Sequence, residues 1–349
     1  MIKKQQHKIL AKGVDSLYLY LETSAINLPE LIEKLSEVDY DQSIIYRGLP
    51  LTKTKAWIRT FPHCVRHGQF MFFLNAKAMF IKVLSLAFEM RGYDFSLIWL
   101  CNTLDHLAVR KTQVAWMDQL KVSRIDIYTD FAFDEDFEMK QFRTTLRKHG
   151  FFQSGKEAEG KTLYFGSRSY FMVRLYVKSA EIKHSGKDYL VSSWNDAGRS
   201  NNGRVWRLEF EFHKDRIRQI CDWNQLTALD DGALASMWAF GMEAIEYCER
   251  QATNRNLARV PLHPVWQDLQ TYHRAEYHVS PAQVHAANVA YRLKRARTWV
   301  ISWFAAKGVM YEDIPEEYRR DFEISRVDLE KAVSKLPLNS DDNMTGQES

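Results

Sequence analysis

Apolar and polar side chains alternate with period two in three segments: 124–130 (Arg124-Ile125-Asp126-Ile127-Tyr128-Thr129-Asp130), Val173–Lys178 and Trp206–Phe212. Strand side chains point to opposite faces in turn, so each segment predicts a strand with titratable groups on one face and, Thr129 excepted, apolar groups on the other. Similar reasoning predicts strands over Val14–Glu22, Gln69–Asn75 and Lys161–Gly166, the last joined to the Val173 strand by the turn-forming run Ser167-Arg168-Ser169. Three- and four-residue apolar spacing predicts helices over Leu28–Val38, Ala76–Met90, Ser96–Leu120, Glu135–His149, Leu226–Glu249 and Pro281–Lys307, with a weaker one over Glu316–Leu336. His184–Arg204 is polar and rich in Gly, Ser and Asn, and is expected to be a long functional loop. No internal repeat is present.

The expected fold class is α+β: a mostly antiparallel sheet with flanking helices, followed by a helical C-terminal region. The expected domains are an α+β domain over 1–213, a helical region over 214–338, and a disordered polar tail over 339–349. A length of 349 residues with 46% hydrophobic content excludes general disorder. Net charge is only +4, so bulk charge argues weakly for nucleic acid. Charge is concentrated instead: between Glu249 and Val300 eight Arg and Lys stand against three acids. The four scattered cysteines fit reduced thiols rather than a disulfide framework or a zinc site. No signal peptide is readable, and no apolar run approaches the ~20 residues of a membrane helix. A soluble, cytoplasmic protein without membrane contact is expected.

The alternating segments carry carboxylates on two strands and, on the third, Tyr176 flanked at i−2 and i+2 by Arg174 and Lys178. A metal-assisted tyrosine nucleophile acting on a phosphodiester needs this inventory. A phenol ionises near pH 10, so Arg174 and Lys178 are expected to favour the phenolate and to offset charge on the phosphate. A hard cation such as Mg²⁺ or Mn²⁺ takes carboxylate oxygens, and Asp126 and Glu209 are its first candidates, with Asp130 as a further one. Asp126 and Asp130 are about 13 Å apart along one strand, so Asp130, Glu211 or Glu181 either supports the ligands from behind or pairs with Arg207 and Arg124. An antiparallel sheet with one wet face shows the same alternation, and Tyr128, Tyr164 and Tyr170 are rival tyrosines.

At these residues the chain resembles the Rep_trans-type replication initiation factors, which are rolling-circle initiators of plasmids and phages and related mobile-element relaxases. The matching blocks are Ser123-Arg-Ile-Asp-Ile-Tyr-Thr-Asp-Phe131, Thr162-Leu-Tyr-Phe-Gly-Ser-Arg168 running into Val173-Arg-Leu-Tyr-Val-Lys178, and Trp206-Arg-Leu-Glu-Phe210. With the opening strand, the similarity spans about Val14 to Phe212. It implies Tyr176 as nucleophile, Asp126 and Glu209 as metal ligands, Lys178 beside the nucleophile, and Ser167 and Arg168 near the DNA backbone. It also implies nicking of one strand at an origin, a 5′-phosphotyrosine link and a free 3′-hydroxyl that primes synthesis, followed by resealing. One difference is visible: the family usually carries an acidic or amide residue directly after the tyrosine, where this chain has Val177.

Other signals are weaker. His63 and His67 have helix-compatible spacing for a metal without a third ligand nearby in sequence, and His213 shares a face with Glu209 and Glu211. Arg292, Lys294 and Arg295 form a basic patch expected to reach duplex phosphates, as does Arg207 from the sheet. No P-loop is present, so strand separation would fall to a host helicase. The partners expected are origin DNA, host helicase and replication machinery, and a second copy in a homodimer. Two other readings stand beside the nicking enzyme: a non-catalytic DNA-binding regulator and a metal nuclease that uses water.

Overall fold

The computed structural model describes residues 7–22, 26–56, 58, 60–107, 109–110, 114–153, 161–187, 189–199, 203–221, 224–249, 259–272, 297, 300–301, 304–305 and 307–334. The chain divides into two compact units, Met1–Pro281 and Ala282–Ser349.

In the first unit the elements run β1 (Lys8–Glu22), β2 (Ile26–Asn27), α1 (Pro29–Ser36), β3 (Ser43–Tyr46), β4 (Leu49–Lys53), β5 (His63–His67), β6 (Phe70–Leu74) and β7 (Ala78–Leu84). They continue with α2 (Ser85–Arg91), α3 (Tyr93–Leu107), β8 (Val109–Arg110), α4 (Trp116–Gln119), β9 (Lys121–Ala132), β10 (Phe142–Thr144), β11 (His149–Gln153), β12 (Lys161–Ser167) and β13 (Phe171–Val177). The remainder is α5 (Lys178–Ser185), α6 (Tyr189–Asp196), β14 (Val205–His213), α7 (Lys214–Cys221), α8 (Asp231–Ala244), β15 (Ile245–Tyr247) and α9 (Pro264–Tyr272). Eleven strands form one sheet in the order β11-β12-β13-β14-β9-β1-β7-β6-β5-β4-β3. Its pairings are antiparallel. The expected α+β class with a mostly antiparallel sheet is therefore correct. The β1–β9 pairing shifts register three times, after Ile9, Val14 and Tyr18. Such irregularities increase local twist at the middle of a sheet.

One face of the central strands is apolar and packs on α8. Phe210 of β14 meets Trp238 at a ring-centroid distance of 4.8 Å, and Phe171 of β13 meets Phe240 at 5.3 Å. Gly241 permits this approach, because a Cβ there would lie 2.5 Å from the Phe210 ring. With Ile217 and Ile220 of α7 buried as well, the helices after His213 belong to the same core. That is why the chain divides after Pro281 rather than at the expected boundary after His213.

Several expected elements differ. Ala78–Leu84 is a strand, not part of a helix: Met79, Ile81 and Val83 are buried while Phe80, Lys82 and Leu84 are half-buried, which is a period of two. Within Glu135–His149 a single 3₁₀ turn at Met139–Gln141 precedes β10, whose Phe142 pairs with Tyr247. A partner more than one hundred residues away fixes that conformation, and local periodicity carries no trace of it. The helix expected over Ser96–Leu120 ends at Leu107. The stretch expected to be loop holds α6, anchored by buried Leu190 and Trp194. The expected tail 339–349 and most of Pro281–Lys307 lie outside the described residues. In the second unit, short helices at Glu316–Asp321 and Arg326–Val333 accompany a core of Val300, Ile301, Phe304, Ala305, Ile314, Ile324 and Leu329. A capping box between Ser325 and Asp328 starts the last helix.

Candidate active site

The register of three neighbouring strands assembles the other face. Arg174 of β13 lies opposite Glu209 of β14, which lies opposite Tyr128 of β9. One step along, Tyr176 opposes Arg207, which opposes Asp130; one step back, Glu211 opposes Asp126. Directly opposed residues share a face. All the alternating polar side chains thus meet on one side of the sheet, where they separate into two ion clusters.

The first cluster is centred on Arg207, with Asp15 at its edge on the cleft. Arg207 is 1% exposed and donates from Nε and Nη2 to both carboxylate oxygens of Asp130 at 2.6 and 2.8 Å, and from Nη1 to Asp15 Oδ1 at 2.5 Å. Its guanidinium lies 3.6 Å from the centroid of the Tyr128 ring. Trp194 of α6 closes the cluster by donating from Nε1 to Asp130 Oδ2 at 2.9 Å. Burial works to raise the Asp15 carboxyl, but the cations Arg207 and Lys187 outweigh it and hold the group at about 2. Two expectations are corrected here. Asp130 is 0% exposed and satisfied by Arg207 and Trp194, so it does not join Asp126 around a metal. Arg207 is enclosed by its partners rather than presented at the surface as a DNA contact would require.

The second cluster is open. Arg174 Nη2 bonds Glu209 Oε1 and lies 3.2 Å from Glu211 Oε2 and 3.5 Å from Asp126 Oδ2. Arg124 donates from Nε and Nη2 to Asp126 at 2.8 and 2.6 Å, and its Nη2 lies 2.9 Å from Glu211. His213 Nε2 lies 2.7 Å from Glu211 Oε1. Three carboxylates therefore share two guanidiniums. Glu209 is pushed up to about 7, chiefly by burial and further by Asp15 and Asp126, against the pull of Arg174. Burial raises Asp126 as well, with Arg124 opposing. For Glu211 burial is outweighed by the His213 hydrogen bond and the two arginines, and the group is lowered.

Tyr176 borders this cluster and donates from Oη to Glu209 Oε2 at 3.1 Å. Burial, reinforced by Glu209, raises its phenol well above the ordinary value. The expected easing of ionisation by neighbouring cations is overridden by loss of water. Lys178 is not on the strand face but begins α5; it is 1% exposed, pairs with Glu181 at 2.6 Å, and has its Nζ 5.6 Å from the Tyr176 ring centroid. Burial and the Arg207 charge lower the lysine.

Tyr176, Arg174, Asp126, Glu209 and Lys178 all line one cleft of about 550 Å³. Ser167 and Arg168 do not: they stand at the β12–β13 turn, beyond Phe171, itself about 17 Å of strand from Tyr176. Arg292, Lys294 and Arg295 lie outside the described residues. His63 and His67 are on strand β5, where their spacing also corresponds to about 13 Å, too far to share a metal. Sequence reasoning missed Asp15, Lys187 and Trp194; the charged residue inside the apolar opening strand was the available signal for the first.

Among the described residues no three His, Cys, Asp or Glu side chains stand as a ready metal-holding group. The donor chemistry nevertheless suits a hard cation, because three carboxylate oxygens surround one position, and the positive group standing there is Arg174 Nη2. No helix of the described residues is long and apolar enough to cross a membrane.

No family model matches the chain, and neither does any curated protein. Among solved structures, one similar chain is described as a rolling circle replication initiator protein from Geobacillus stearothermophilus, with 15% identity and a TM-score of 0.42 over 76% of this chain and 97% of that one.

Proposed function

We propose that this protein is a DNA nicking and closing enzyme that initiates rolling-circle replication, or mobilisation, of a plasmid, phage or integrated element. One observation carries the reading: a tyrosine hydroxyl in an open cleft donates to a carboxylate that burial has made a good proton acceptor, beside a guanidinium. The three sequence blocks that resemble the Rep_trans-type initiators contain these residues.

Tyr176 Oη attacks a backbone phosphorus and its proton passes to Glu209 Oε2. The new bond is Oη–P and the broken bond is P–O3′, whose oxygen leaves as the 3′-hydroxyl after taking up a proton. A 5′-phosphotyrosine remains and conserves the phosphodiester bond, so resealing is the same path reversed. Arg174 offsets charge on the phosphate, and a buried cation does this more strongly than one in water. Asp126 and Glu209, with Glu211 adjacent, would hold Mg²⁺ or Mn²⁺, which when bound supplies Lewis-acid polarisation of the phosphate. Glu209 Oε2 faces the phenol, while its Oε1 accepts from Arg174.

The test is incubation with labelled single strands drawn from the DNA flanking the gene, with Mg²⁺ or Mn²⁺. The enzyme gives an adduct that survives denaturation and is absent in Tyr176→Phe. A regulator gives only a salt-sensitive mobility shift, and a water-using nuclease gives cleavage without adduct that persists in Tyr176→Phe; either result overturns the proposal.

A further inference from the structure

The half of the sheet away from Tyr176 carries an ordered row of side chains leading into the cleft. Arg66 of β5 lies opposite Met71 of β6, which lies opposite Lys82 of β7, then Tyr18 of β1, then Arg124 of β9. The row crosses four strand spacings, roughly 19 Å, and ends at the residue that binds Asp126. Four of its five members, Arg66, Lys82, Tyr18 and Arg124, line the same cleft as Tyr176 and Glu209.

Two cations of this row, Arg66 and Lys82, differ from those around Tyr176. Arg174, Arg124, Arg207, Lys178 and Lys187 each stand within 4 Å of at least one carboxylate. Among the described residues Arg66 and Lys82 have none. Arg66 is exposed and donates from Nε only to the Gly68 carbonyl at 2.9 Å. Lys82 Nζ lies 5.4 Å from the Tyr18 ring centroid. The cleft therefore has a floor whose acids and bases are paired with one another, and a wall whose positive charge is uncompensated. Two such cations, about 10 Å apart across two strand spacings, suit a flexible ligand with repeated negative charges. An aromatic ring between basic side chains is the arrangement used to track single strands without reading their sequence.

We infer that Arg66 and Lys82 form a backbone-phosphate subsite for single-stranded DNA, holding the segment that flanks the scissile phosphate as it crosses β5, β6 and β7 toward Tyr176. The inference rests on the reading of the cleft as a strand-nicking site, but its test requires no bond to be made. Binding of a fluorescent single-stranded oligonucleotide is measured over a salt series in a Tyr176→Phe background. Combined Arg66→Ala and Lys82→Ala is expected to weaken binding about tenfold at low salt. The same change reduces the slope of log affinity against log salt by about 1.4, since each single-strand phosphate contact contributes about 0.7. Charge-retaining Arg66→Lys with Lys82→Arg restores most of the slope, which separates lost charge from lost folding. Lys55→Ala with Lys77→Ala, outside the cleft lining, leaves it unchanged. An unchanged slope in the double alanine variant overturns the inference, and so does competition by inorganic phosphate as effective as that by oligonucleotide. Failure of wild type to form an adduct while the slope effect persists strikes the nicking proposal and leaves the subsite standing.

Discussion

The two ion clusters on the polar face share strands β9 and β14 and lie one register step apart, yet their carboxylates differ in character. Around Arg207 two carboxylates flank one guanidinium, an aromatic ring covers it, and α6 closes the top through Trp194. Around Arg174 three carboxylates share two guanidiniums and the assembly opens on a cleft. The electrostatic results diverge accordingly, with Asp15 held at about 2 and Glu209 pushed up to about 7. Burial alone therefore does not decide whether a carboxylate becomes an inert ion-pair member or a proton acceptor. The charges beside each group decide it: Arg207 and Lys187 pull Asp15 down, whereas for Glu209 the pull of Arg174 is opposed by Asp15 and Asp126.

The largest effect that would break this contrast concerns stability. Asp130→Ala leaves Arg207 enclosed with only Asp15, and should cost about 3–5 kcal/mol in chemical denaturation, the usual penalty for stranding a buried charge. Asp126→Ala leaves Arg124 with Glu211 and Arg174 with Glu209 and Glu211, so its loss should be well below that while adduct formation disappears. Equal losses for the two variants would mean that both clusters are structural. Next in size is Gly241→Ala, where the new methyl meets the Phe210 ring and should cost about 1–3 kcal/mol by overpacking, read as a lowered melting temperature.

A further effect is in pH. Glu209 keeps its proton in the fold to about 7, whereas in the unfolded chain it loses it near 4.5, so between these values the folded state binds more protons. Its contribution is full below about 4.5 and is lost as pH rises through 7, and Glu209→Gln should flatten that part of the stability curve. Asp15 has the opposite sign: its contribution is present above 3.8 and is lost as pH falls toward 2. Glu209→Gln should also abolish adduct formation while leaving single-strand binding in place; an adduct formed at the wild-type rate would remove Glu209 from the proton path.

The three alternating segments were legible because each is a strand with one polar and one apolar face, and they supplied Tyr176, Arg174, Asp126 and Glu209. The same alternation also supplied Asp130 and Arg207, and nothing within those segments distinguishes the two sets. What separates them is Trp194, in a stretch whose Gly, Ser and Asn content suggested a loop, and Asp15, in a strand whose apolar residues masked it. The helical reading of Met79, Phe80, Val83 and Leu84 failed because these positions satisfy both periods; only pairing to β1 and β6 decides between them. That error also hid Lys82, which on a helix would have had no relation to the cleft.

The missing side chain at Gly241 has a mechanical corollary. With no methyl between α8 and β14, the indole of Trp238 rests on Phe210, one residue from Glu209 along the same strand. A shift of that strand when a ligand enters the cleft would be transmitted directly to the indole on the far side of the sheet. Trp238, fully shielded from water, thus stands one ring contact from the strand that carries Glu209, on the face away from the reacting groups.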